Sequence, residues 1–391
     1  MDFSLTEEQV AIRDAVFKLL DPNGPLGDAY WLRRDRSGGF PEEFFSAIAR
    51  AGWLGIAMPQ DFGGAGLGVT EAAIFMQAIA ESGAGMSGAS AVHLNIFGLN
   101  PVVVFASTEQ KQRWLPPMIR GEIKACFAVT EPNTGLNTLK LQTRAIKGDG
   151  GYVLSGQKIW TSTAQVASKM LILARTTALE DVQRPTAGLS LFYTDFDRRY
   201  IQVHEIEKMG RKAVDSNQIF IDALPVPDED RIGEEGRGFE YMLHGFNPER
   251  ILIAAEAVGL GRAALRRAAN YAKQRVVFDR AIGANQSIQH PLAERWMELE
   301  AANLMVMKAA TLYDQGQPCG AEANAAKYLA GEAGFHACET AVMTHGGMGY
   351  AKEFHVERYL RESLIPRIAP VSPELVLCYI AERVLGLPRS Y

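Results

Sequence analysis

Apolar residues in the first third of the chain recur three and four positions apart. Thr6 and Gln9 are spaced like a reciprocal helix cap, and Ile12, Val16, Leu19 and Leu20 follow, which predicts a helix. Further helices are expected from about Pro41 to Gly52 and from about Thr70 to just before Gly83. At Ala125 the period changes. TRAIKGDGGYVLSG alternates on both sides of Asp149-Gly150-Gly151, the pattern of a hairpin. KMLILAR, LSLFYTDF, IQVHEI and NQIFIDALPVP follow as short strands, so about six strands without intervening helices predict a compact antiparallel sheet or barrel.

Beyond about Gly233 the helical spacing returns in longer stretches, around 239–276, 286–315, 320–344 and 373–386, which predicts a bundle. The expected fold class is α+β and mostly helical. An N-terminal helical domain (1–122), a middle antiparallel β domain (123–233) and a C-terminal four-helix bundle (234–391) follow one another.

Composition narrows the function. The chain has 391 residues and a net charge of -5, with both signs interspersed and no long basic run, which argues against a nucleic-acid partner. Cys126, Cys319, Cys338 and Cys378 are too widely spaced for a disulfide framework or a metal knuckle, so a reducing compartment is expected. MDFSLTEEQ reads as neither a signal nor a transit peptide, and a cytoplasmic location is the expectation. The apolar run from Ile251 is interrupted by Glu256 and is too short to cross a bilayer, so no membrane insertion is expected.

Several chemistries lack their motifs. There is no GxxxxGK[ST], no HExxH and no GxSxG, and the seven histidines, among them His204, His345 and His355, show no metal-ligand spacing. Gly259-Leu260-Gly261 lies inside a helical pattern with no strand before it, where small residues permit close helix packing.

Other stretches carry candidate chemistry, each with a plainer alternative. CFAVTEPNTG is either a strand exit or a turn whose amides approach a ligand. In KIWTSTA, Trp160 either joins the core or lies against a flat heterocycle that a neighbouring hydroxyl reaches. Arg275, Phe278, Arg280 and Gln286 mark either a solvated helix end or a pyrophosphate clamp, and THGGMGY either turns the chain or lets backbone approach a phosphate. The small residues of SGAGMSGASAVHLN either line a pocket or pack. NPERILIAAEAVGLG opens with Asn247-Pro248-Glu249-Arg250, which suits a capped helix start; alternatively, Glu249 is a base.

Taken in order, these stretches resemble the acyl-CoA dehydrogenase family. MPQDFGGAG from Met58, TEPxxG from Thr130, KxW from Lys158, YxxxRxxF from Tyr271 and GGxGY from Gly346 match its pattern along essentially the whole chain. The resemblance implies an FAD flavoprotein, usually a tetramer, that oxidises an acyl-CoA to its trans-2-enoyl form and passes electrons to an electron-transfer flavoprotein. By position, it places Phe127, Val129 and Thr130 along the flavin, Trp160 against it and Ser162 near its N5. It assigns Arg275, Phe278 and Gln286 to the cofactor of a neighbouring subunit, and Gly346 and Gly347 to its pyrophosphate or adenine side. Leu136-Asn137 stands where the family often has Ser-Asp, and Met343 replaces a frequent glutamine.

Most members carry the catalytic glutamate after the GGxGY stretch, but counting from Arg361 puts Pro370 there. Proline offers neither a carboxylate nor an N–H for the thioester oxygen, so the amide of Val371 is the expected substitute. The isovaleryl-CoA and long-chain branches instead place the base one residue before an arginine on the first bundle helix, which is Glu249 with Arg250 after it. Arg250, Leu136 and Val371 are then expected on the substrate side. A base in apolar surroundings would have the raised pKa that suits a weakly acidic α-proton. The alternatives are a base elsewhere, such as Glu374, a silent FAD and acyl-CoA binder, or a flavin oxidase of the same fold.

Overall fold

The computed structural model describes residues 3–390. Helix α1 (Glu7–Leu19) starts at the reciprocal cap: the Gln9 amide donates to Thr6 Oγ1 at 3.2 Å and the Thr6 amide to Gln9 Oε1 at 3.1 Å. Helices α2 (Asp28–Ser37), α3 (Glu42–Arg50) and α4 (Val69–Ile79) follow; α2 was not anticipated in the sequence.

The third expected helix does not end before Gly83. The chain bends there and continues as α5 (Gly85–His93), α6 (Asn100–Phe105) and α7 (Thr108–Ile119). A Cβ on Gly85 would lie 2.6 Å from Glu362 Oε2, and its φ of 65° is one that side chains rarely adopt. This close approach lets Glu362 accept from the amide and hydroxyl of Ser87, which fixes the start of α5. Val69–Phe105, rather than the run from Ile251, is a stretch long and apolar enough for a bilayer, with a mean hydropathy of 1.4; in the fold it is bent into separate helices and 61% buried. The other such stretch, Val356–Arg383, is divided among three shorter helices.

One sheet follows: β1 (Ala125–Ala128), β2 (Arg144–Gly148), β3 (Gly151–Ser162), β4 (Lys169–Arg175), β5 (Leu189–Asp195), β6 (Ile201–Glu205), β7 (Ser216–Pro227) and β8 (Arg231–Ile232). Its order is β6-β7-β3-β2-β4-β5-β8, with β1 beside β4. All pairings are antiparallel except those of β4 with β1 and β2, which are parallel. Gly148 pairs with Gly151 across the expected Asp149-Gly150 turn, where Gly150 has φ 76°. Strands β4 and β5 are buried along nearly their whole length because both faces are covered: Leu171, Leu173 and Tyr193 pack on Trp114 and Leu115, while Met170, Ile172 and Phe192 pack with Leu154 and Ile219.

The bundle consists of α8 (Gly238–Gln274), α9 (Gln286–Asp314), α10 (Gly320–His345) and, after the short α11 (Val356–Glu362) and α12 (Ile365–Ile368), α13 (Pro373–Arg383). A small hairpin, β9 (Val276–Val277) and β10 (Arg280–Ala281), separates α8 from α9. Gly259 is a packing residue, since a Cβ there would lie 2.2 Å from the Gln77 carbonyl on α4. The structure corrects the reading of Asn247-Pro248 as a helix start, because both lie inside α8. Asn247 Oδ1 instead accepts from Arg250 Nη1 at 3.3 Å.

Candidate active site

Glu249 and Glu256 sit two helical turns apart on α8, so they share a face. His93, the last residue of α5, reaches between them: Nε2 is 3.0 Å from Glu249 Oε1, and Nδ1 is 2.5 Å from Glu256 Oε1. Glu256 is fully buried, and its Oε2 has no hydrogen-bond partner among the described residues. Burial pushes the His93 pKa down. The charges of Glu249 and Glu256, with a hydrogen bond to each, more than reverse this, and the imidazole titrates well above its ordinary value. The expectation of an apolar setting for Glu249 is therefore corrected: a charged imidazole stands beside it. Sequence reasoning missed both partners, reading Glu256 only as an interruption of an apolar run. The available signal was two glutamates seven residues apart on one helix.

Glu249 opens on a cavity of about 210 Å³, whose walls include Phe127, Trp160, Ser162, Arg211 and Pro370. Between the pairs Lys158–Ile219 and Thr161–Asn217, two residues of β3, Ile159 and Trp160, oppose one of β7, Gln218. This bulge coincides with the positive φ of Trp160 (60°) and leaves its indole 57% exposed at the cavity mouth. An exposed indole, the ring of Phe127 and the Ser162 hydroxyl form a wall suited to a flat heterocycle with polar edge atoms.

Two motif residues that sequence reasoning passed over hold this wall in place. Lys158 Nζ, fully buried, donates to Glu131 Oε1 (3.0 Å), the Val129 carbonyl (3.1 Å) and the Leu173 carbonyl (2.8 Å). Glu131 also accepts from the Gln142 amide (2.6 Å) and from the amide and hydroxyl of Thr143 (2.9 and 2.6 Å). The Ile159 amide donates to the Thr130 carbonyl at 2.8 Å. Burial raises the Glu131 pKa, but Lys158 and these donors bring the net shift below the ordinary value; burial lowers Lys158 to about 8. Val129 thus lies in the core and contributes its carbonyl.

A second, outer cleft is lined by Thr130, Leu136, Arg250, Val371 and Glu374, and it shares Phe246 and Pro370 with the inner cavity. Leu136 is 65% exposed with φ 65°. Burial holds the Arg250 guanidinium below its ordinary pKa, and its Nε has no partner among the described residues. Glu249 and Arg250 therefore face different cavities, and no salt bridge joins them. The Val371 carbonyl accepts from Lys327 Nζ at 2.5 Å. Glu374, the alternative base, stands in the outer cleft on the first turn of α13 rather than in the cavity with Trp160 and Ser162.

Arg275, Phe278, Gln286, Gly346 and Gly347 do not line either cavity; all are exposed, Phe278 by 94%. Their two segments are neighbours, since Tyr271 stacks on His345 with ring centroids 4.3 Å apart. Among the described residues no group of three or more His, Cys, Asp or Glu side chains is placed to hold a metal.

Comparison with known proteins agrees with this arrangement. Residues 6–122, 126–224 and 236–385 match the family models of the acyl-CoA dehydrogenase N-terminal, middle and C-terminal domains. The acyl-CoA dehydrogenase FadE12 of Mycobacterium tuberculosis strain H37Rv is 36% identical over 395 residues, covering 100% of this chain and 99% of the relative. A 3-(aryl)acrylate reductase of Clostridium sporogenes is 32% identical, covering 90% of this chain and 92% of the relative. The solved FAD complex of PigA superposes with a TM-score of 0.91 at 26% identity, covering 99% of this chain and 100% of that one. With a fitting ring wall and all three family segments in order, this chain belongs to the acyl-CoA dehydrogenase family, an oxidoreductase with FAD as its cofactor.

Proposed function

We propose that this chain oxidises an acyl-CoA thioester to its trans-2-enoyl form with Glu249 as the base. The observation that carries this reading is the meeting of the Glu249 carboxylate with Phe127, Trp160 and Ser162 in one cavity. Those three residues would hold the flavin, which supplies the acceptor for the hydride that leaves the β carbon. Glu249 takes the proton from the α carbon, and His93 fixes the carboxylate on its other side. The thioester enters through the outer cleft past Arg250, and Leu136 and Val371 flank its path. An electron-transfer flavoprotein collects the electrons, and the chain works as a tetramer whose exposed Arg275, Phe278, Gln286, Gly346 and Gly347 complete a neighbour's cofactor site.

One observation favours the reverse direction as a second reading. His93, which holds its proton well above the ordinary range, stands 3.0 Å from Glu249 and can return a proton through that carboxylate to the α carbon of an enoyl thioester. The relative from Clostridium sporogenes carries the name of a reductase.

Anaerobic titration of the FAD-loaded protein with short, branched, long and aromatic acyl-CoAs tests both. Bleaching of the flavin by one class establishes oxidation; reoxidation of the reduced protein by enoyl-CoAs alone establishes reduction. Glu249→Gln is expected to keep FAD and slow bleaching at least 10²-fold. A variant that bleaches at most of the wild-type rate would remove Glu249 from the mechanism. Peroxide release during aerobic turnover would identify an oxidase, and binding without bleaching would identify a silent binder.

A further inference from the structure

Arg211 lies between β6 and β7, and its guanidinium forms part of the wall of the Glu249 cavity. Its hydrogen bonds reach only hydroxyls: Nη1 donates to Ser90 Oγ at 3.3 Å, and Nη2 donates to Ser162 Oγ at 3.2 Å and Ser216 Oγ at 3.0 Å. Its Nε is buried without a partner, and among the described residues it forms no ion pair.

The carboxylates that act on it from farther away are engaged elsewhere. Glu362 accepts from Ser87 and pairs with Arg358, Glu256 holds His93, and Asp215 accepts from Asn217 and the Gln165 amide. Buried arginines are normally matched by a carboxylate or phosphate, which fits the planar fork with two parallel bonds. Here the fork has free donor capacity, faces a cavity and has no such partner.

The position sets the reach. Ser90 and His93 lie three residues apart on α5, so their side chains stand about 5–6 Å apart on one helix face. Ser90 touches Arg211 and His93 touches Glu249, which places the guanidinium about one helical turn farther along the cavity wall than the partner of the base. An acyl chain with its α carbon at Glu249 covers that span in roughly four to five bonds, given about 3.5 Å for every three bonds of extended chain.

We propose that Arg211, with Ser90, is a subsite for a carboxylate at the far end of the acyl group, so that the preferred substrate is a dicarboxylic acid esterified to CoA at one end. This inference rests on the thioester reaction proposed above. A guanidinium is chosen to read a carboxylate rather than a neutral oxygen because both glutamates of the cavity are held by His93 and neither forms an ion pair with Arg211.

The test compares matched pairs on the FAD-loaded protein: glutaryl-CoA against pentanoyl-CoA, and adipoyl-CoA against hexanoyl-CoA. The carboxylated member of at least one pair is expected to bleach the flavin at a tenfold or lower half-saturating concentration. In Arg211→Met that ratio is expected to fall to near one, and in Arg211→Lys to an intermediate value. Equal half-saturation within both wild-type pairs overturns the subsite while leaving the reaction standing. A ratio that survives Arg211→Met, with a shifted flavin midpoint potential, overturns it in favour of an arginine that serves the cofactor. Should no thioester bleach the wild type, the reaction fails, and the same pairs are compared by the spectral shift of the oxidised flavin on binding. A preference there upholds the subsite, and equal binding overturns it. The wild-type comparison stands even where a variant does not fold.

Discussion

Lys158 in the sheet and Arg211 beside the cavity are both buried cations, yet their surroundings differ. Lys158 spends all three of its donors on Glu131 and two carbonyls, and both Glu131 oxygens are occupied by amides and a hydroxyl as well. The cavity keeps loose ends: Arg211 Nε and Glu256 Oε2 have no partner among the described residues. Desolvating a polar group without satisfying it costs free energy, so a fold retains such atoms where another gain offsets the cost. The complete network braces the ring wall from behind, whereas the incomplete one borders the space where substrate is to be handled. Between these two buried cations, the one that borders the cavity is the one whose donors are incompletely used.

The sharpest way to break this comparison is Lys158→Met. It leaves the Glu131 carboxylate buried without its cation, and a loss of about 3–5 kcal/mol in urea unfolding is expected. A near-neutral result would show that the knot is not structural.

His93→Gln is expected to cost less, about 1–3 kcal/mol, because Glu249 is partly accessible to water through the cavity. Its signature is the dependence on pH. His93 binds its proton more tightly folded than unfolded, so its contribution is complete below about pH 6.5 and declines as pH rises through the higher folded value. Lys158, lowered to about 8, works in the opposite sense above that pH. The wild-type minus variant difference in unfolding free energy isolates His93, and a difference that stays flat from pH 6 to 9 would contradict the ion triad.

The smallest effect is expected from Glu256→Gln, an isosteric change in the same triad. Removing the Glu256 charge leaves Glu249 beside the imidazole, so the His93 pKa measured by NMR should fall yet stay above its ordinary value. A fall to the ordinary value or below would make Glu256, rather than Glu249, the main partner.

Much of the scaffold was legible because its signals are local. The cap at Thr6 and Gln9, the turn at Asp149-Gly150 and the long helices of the bundle each depend on residues a few positions apart, and all are present. Local signals failed where tertiary contacts override them. Asn247-Pro248 looks like a helix start, but α8 runs through it, since packing along the helix outweighs one missing N–H. The glycines at 83 and 85 looked like a stop, but they bend the chain so that α5 can meet Glu362.

The motifs were legible as a set, and they placed Phe127, Trp160, Ser162 and Glu249, which the structure gathers in one cavity. The sequence by itself determined the helices, the strands and the residue types available for chemistry, because propensity, periodicity and motif spacing are short-range properties. Only the tertiary structure decided that His93 stands between two glutamates, one of them 163 residues away, and that Arg211 faces the base's cavity without a counter-ion. The physical reason is that these pairings depend on the relative placement of α5, α8 and the β6–β7 turn. That placement is set by the packing of the whole core rather than by any local run of residues.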